Sequence, residues 1–140
     1  MPYLCLECYE VYNTPLEYCP KASCGYGAVV EIDELMLPTI KMLNEKGYCT
    51  ENCCSGHVYE SYCSPYIQFS DFMREIFDDD EIESMFADLP KMWHLELNDI
   101  GTFFVRASII QVEEVETYEQ IVNANLELLH FVDELPCLEY

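Results

Sequence analysis

Cys5-Leu6-Glu7-Cys8, followed by Cys19-Pro20-Lys21-Ala22-Ser23-Cys24-Gly25, is the stretch on which the reading of this chain turns. It holds a C-x2-C pair, ten intervening residues and a C-x4-C pair. Two short pairs at that separation can place four thiolates around one tetrahedral zinc, each pair forming a knuckle. The spacing predicts a zinc ribbon over residues 1–31, with zinc as cofactor and Cys5, Cys8, Cys19 and Cys24 as its ligands. Gly25, directly after the last cysteine, suits the positive φ of a knuckle turn whose amides point at sulfur. Two such knuckles have little core of their own, so the ion contributes folding free energy directly.

Outward from the ribbon, composition narrows the class. The chain has 140 residues, of which 51% are hydrophobic, as in a globular fold. That length suits one domain and a small metal-stapled module. No apolar run approaches the roughly 18 residues that span a membrane, and Met1 to Cys5 has no basic n-region. With nine cysteines, an odd number, the chain reads as a metal-binding protein of a reducing cytosol rather than a disulfide scaffold.

Charge then separates the function classes. There are 27 Asp and Glu against 6 Lys and Arg, a net charge of −21. Zinc ribbons often touch nucleic acid, but affinity for phosphate rests on Lys and Arg displacing counterions. A surface this acidic repels nucleic acid and anionic membranes alike. It favours basic proteins, including those that themselves hold nucleic acid. The plainer reading of the charge is solubility.

Periodicity outlines an acidic α+β domain over residues 32–140 that forms one unit with the ribbon, a small, mostly antiparallel sheet with about three helices. Asp33 is placed to cap a helix running to about Lys46, with Pro38 in its first turn, Met36, Ile40 and Leu43 on one face and Gly47 at its end. Strands are predicted over Tyr48–Cys54, Tyr66–Phe69, Met92–Leu97 and Thr102–Ile110, the last two joined at Asn98-Asp99-Ile100-Gly101. Residues 70–89 read as acidic helix, broken near Asp78-Asp79-Asp80. Thr117 and Gln120 fit a capping box at the head of a last helix, ended by Pro136. Its apolar face comprises Tyr118, Ile121, Val122, Leu128, Leu129, Val132 and Leu135.

Three further groups of residues stand out. Cys49, Cys53, Cys54, His57 and Cys63 form a second cluster: structural thiols, a second metal site, or a nucleophile at Cys53 or Cys54 activated by His57. His94 and His130 read as packing residues. The acidic stretch from Asp71 to Asp88 interleaves Phe72, Phe77, Met85 and Phe86, and an acidic rim around apolar anchors suits a basic protein partner. Asp78, Asp79, Asp80, Glu81 and Glu83 are the expected contacts, with Phe77 and Phe86 as anchors. A plain amphipathic helix with a solvated face is the competing reading. No glycine phosphate loop, serine nucleophile motif or HExxH is present, so no enzyme is expected.

The knuckle Cys19–Cys24, Ile32-Asp33-Glu34-Leu35, Gly47-Tyr48 and Cys53-Cys54-Ser55-Gly56-His57 together resemble zinc-ribbon proteins of phages and prophages of Gram-positive bacteria. More narrowly, size, charge and metal array resemble the zinc-binding type II-A anti-CRISPR proteins. That resemblance implies an inhibitor that binds Cas9 in the host bacterial cytoplasm without chemistry of its own, occupying a basic surface and preventing target-DNA loading. Two other classes stand beside it: a zinc-ribbon adaptor for another basic host protein such as the transcription machinery, and a thiol or metal enzyme using Cys54 and His57.

Overall fold

In the computed structural model, which describes residues 1–25, 27–58, 64–98, 101–110 and 112–140, the chain is α+β with two antiparallel sheets. The first is built from β1 (Tyr3–Cys5), β2 (Val11–Tyr12) and β3 (Val29–Glu31) in the order β2-β1-β3. These strands of two or three residues are too short to be stable alone. Their buried centre is Cys5, Cys19 and Cys24, with Cys8, Tyr12 and Val29 packed around it. Sulfur thus stands where a hydrocarbon core would be.

The second sheet contains β4 (Thr50–Cys54), β5 (Tyr66–Phe69), β6 (Trp93–Leu97) and β7 (Phe103–Ala107) in the order β4-β5-β7-β6. Strand alternation decides its two faces. Ile67 and Phe69 of β5, and Phe103, Val105 and Ala107 of β7, are buried. Phe69 and Phe103 pair across strands and stack at 4.8 Å. Tyr66, Gln68, Phe104 and Arg106 are their half-buried alternates.

Helices α1 (Leu37–Glu45) and α4 (Glu114–Glu134) pack together. They supply Ile40, Leu43, Ala124, Leu128 and Val132 to the same core. Pro38 sits in the first turn of α1, where its missing N–H has no intrahelical acceptor to lose. Gly47, at φ +95°, follows the helix as expected. The acidic segment is two helices, α2 (Phe72–Ile76) and α3 (Asp79–Met85). Asp78 divides them by capping α3: its carboxylate accepts the Glu81 amide at 2.8 Å, and the Glu81 carboxylate accepts the Asp78 amide at 3.1 Å. Leu4 from the ribbon enters the main core cluster, with Leu6, Tyr9 and Val30 packed against it, so the two parts share one interior.

Four local expectations are corrected. Asp33 does not cap α1; its Oδ2 accepts the Ser55 amide and hydroxyl at 2.9 and 3.0 Å. The Thr117–Gln120 capping box does not form, because α4 begins at Glu114. Thr117 is fully buried inside the helix and accepts the Val112 amide, while the Gln120 amide group bonds both backbone polar atoms of Ile110. Both side chains hold the segment that leads into the helix instead of the helix end. His94 and His130 are exposed, beside Glu96 and Glu134 respectively, rather than packed. Gly25 has no positive φ, and a side-chain Cβ at that position would meet nothing within 4 Å. Asp99 and Ile100 of the predicted hairpin turn lie outside the described residues.

Candidate metal centre

Cys5 ends β1, Cys8 lies in the turn toward β2, and Cys19 and Cys24 lie in the loop that leads to β3. The four sulfurs converge, all within 4.8 Å of one another. Cys5 Sγ lies 3.7 Å from Cys24 Sγ, and Cys8 Sγ 3.7 Å from Cys19 Sγ. A tetrahedral zinc with bonds of about 2.3 Å requires sulfurs about 3.8 Å apart, whereas a disulfide requires about 2.05 Å. The arrangement fits a metal and not two disulfides.

Amides support the same assignment. The Glu7 and Cys8 N–H groups donate to Cys5 Sγ at 3.4 and 3.5 Å. The Tyr12 hydroxyl lies 3.0 Å from Cys19 Sγ and draws that thiol down to about 7. At Cys24 the Gly27 amide acts downward, but burial and the neighbouring thiols outweigh it and push the group up to about 12. Four sulfurs this close cannot all ionise without a cation among them, since each added negative charge raises the cost of the next. A thiophilic divalent ion would remove that conflict, release the remaining protons and be held by four thiolates.

Two residues outside the ligand set shape the site. Gly27 has no room for a side chain: a Cβ there would lie 2.4 Å from Glu7 Cβ and 2.7 Å from Cys5 Sγ. Tyr9 adopts a positive φ of 65°, unusual for a side chain of its size. Its hydroxyl donates to the Asn44 carbonyl of α1 at 3.0 Å, which ties the knuckle to the body.

The second cluster divides. Cys49 lies near Gly47 O and the Tyr140 hydroxyl. Cys53 packs against the core, where burial, then Asp33 and Cys54, push its thiol up to about 12. Neither joins Cys54 and His57, and Cys63 lies outside the described residues. Asp33 takes their place: its carboxylate, Cys54 Sγ and a His57 ring nitrogen lie within 4.8 Å of one another. Sequence reading missed Asp33 here because it stands 21 residues before Cys54, and the fold alone joins them.

The acidic segment carries a cleft of about 780 Å³ between α3 and the end of α4. Asp78, Asp80, Glu81, Asp88 and Glu134 line it, together with Tyr48, Met85, Phe131, Leu135 and Leu138. Of the expected contacts, Asp79 is instead paired with Arg74 at 3.0 Å, and Glu83 is exposed away from the lining. Phe77 packs edge-on against Tyr140. Phe86 is 4% exposed and sits in the core against Phe69, Phe103 and Tyr48, so it is not a surface anchor. Among the described residues, no helix is long and apolar enough to cross a membrane. No family model, curated protein or solved structure matches the chain.

Proposed function

We propose that this chain is a zinc-stapled binding protein that docks on a basic surface of a protein handling nucleic acid. The observation that carries the reading is the α3–α4 cleft, with five carboxylates around a floor of Tyr48, Met85, Phe131, Leu135 and Leu138. Lys and Arg fit such a place well: the aliphatic stem lies on the apolar floor and the charged head reaches the rim. Nucleic acid does not fit it, since phosphate would meet carboxylates without a cation among the lining residues. The net charge of −21 steers the same class of partner from a distance.

Cas9 is the partner to which the anti-CRISPR resemblance leads, because it holds guide and target in positively charged channels. An acidic body seated there excludes target DNA by charge and bulk, and no reaction is required of it. The test is binding to a Cas9–guide complex, alongside target-DNA loading, for wild type and for Asp80→Lys/Asp88→Lys/Glu134→Lys. Asp78 and Glu81 are spared because they cap α3. At roughly 0.2–1 kcal/mol per exposed pair, with repulsion added by each reversal, Kd is expected to rise about 10- to 100-fold. Unchanged affinity in a folded variant contradicts the cleft as the contact. Wild type that ignores Cas9 but retains core RNA polymerase moves the partner to the transcription machinery.

A further inference from the structure

The turn Cys54-Ser55-Gly56-His57 is built more firmly than a strand end needs. Ser55 is buried, with its amide and hydroxyl both held by Asp33 Oδ2 and its carbonyl accepting Asn125 Nδ2 of α4 at 3.0 Å. Asn125 is itself 3% exposed, and its Oδ1 has no partner among the described residues. A buried amide on a core helix costs stability unless it is satisfied. Here it is placed to grip this one turn.

The turn also repeats the local geometry of the four-cysteine site. The Gly56 N–H donates to Cys54 Sγ at 3.4 Å, two residues on, as the Glu7 N–H donates to Cys5 Sγ at 3.4 Å. Gly56 has φ +103°, which other residues rarely adopt. The turn brings His57 back beside Cys54, and the Asp33 carboxylate stands within 4.8 Å of both donor atoms.

We propose that Asp33, Cys54 and His57 form a second zinc site, distinct from the ribbon. A thiolate, an imidazole and a carboxylate are a borderline-soft donor set that suits zinc and not magnesium or calcium. Asp33 is oriented by Ser55 on one carboxylate oxygen, the kind of outer support that metal-binding carboxylates have. His57 is exposed, so its ring can turn to close the last distance. Among the described residues three ligands converge here, the number that open rather than purely structural zinc sites have. Cys54 and His57 also line a cleft of about 500 Å³ with Ser64, Tyr66, Gln68 and Arg106, which gives a further ligand access.

The experiment is zinc content per chain by elemental analysis. Wild type, Cys54→Ser and His57→Ala are loaded with zinc and then freed of excess by gel filtration, with circular dichroism as the control for folding. Wild type is expected to hold two zinc ions, one per cluster, and each variant one. His57 is exposed, so its loss leaves the core intact. Equal zinc content in wild type and both folded variants, whether one ion or two, overturns the site.

Discussion

Gly27 and Gly25 separate what the metal knuckle needs from what it tolerates. A Cβ at Gly27 would overlap Glu7 and the Cys5 sulfur, while one at Gly25 would meet nothing within 4 Å. Gly27→Ala is therefore expected to cost about 1–3 kcal/mol of stability, typical of overpacking, and to weaken zinc retention against a competing chelator. Gly25→Ala is expected to leave both unchanged. Thermal unfolding and chelator competition on the pair check this; equal effects at the two positions would contradict it. At this scale the sequence is legible where chemistry is local. The four cysteines are readable because short spacings alone bring each pair together. Gly27 and Asp33 are not, since each acquires its role from a neighbour across the fold, Gly27 against Glu7 and Asp33 against Ser55.

Helix ends show the same division one level up. Pro38 and Gly47 bound α1 as their backbone preferences require, and Asp78 breaks the acidic helix by capping its second half. The start of α4 is not legible because Thr117 and Gln120 direct their hydrogen bonds to Val112 and Ile110. The end of α4 has a device that no local pattern reveals. Its last turn contains no basic residue, yet Lys46 from the end of α1 donates to the carbonyls of Val132, Asp133 and Leu135 at 2.7–2.9 Å. One cation thus satisfies three acceptors at the negative end of the helix dipole. Lys46→Met keeps much of the stem and removes those bonds. It is expected to lower stability by about 1.5–3 kcal/mol, the scale of hydrogen bonds to a charged group. Denaturant unfolding measures this, and a loss under about 0.5 kcal/mol, the scale of an ordinary surface change, would contradict it.

Over the whole molecule, two sources of order meet at one interface. The body folds around hydrocarbon, from Phe69 and Phe103 to Leu128 and Val132, whereas the ribbon is organised around sulfur. Burying Leu4 supplies about 1.5–3 kcal/mol, while a structural zinc in comparable small modules supplies about 10–16 kcal/mol. A zinc bound there would therefore stabilise the first 31 residues more than Leu4 does, and Leu4 and the Tyr9–Asn44 bond would transmit that order to the body. Overall class and charge are legible from composition and periodicity. The α3–α4 cleft is not, because the end of α4 lies far along the chain from Asp78 and only folding sets them side by side. The central claim is that zinc sits among Cys5, Cys8, Cys19 and Cys24. Zinc X-ray absorption on the folded His57→Ala chain, which keeps the quartet and removes the second site, tests it most directly. Four sulfur neighbours at about 2.3 Å are expected; a first shell containing nitrogen or oxygen, or a chain that folds fully without the metal, would contradict it.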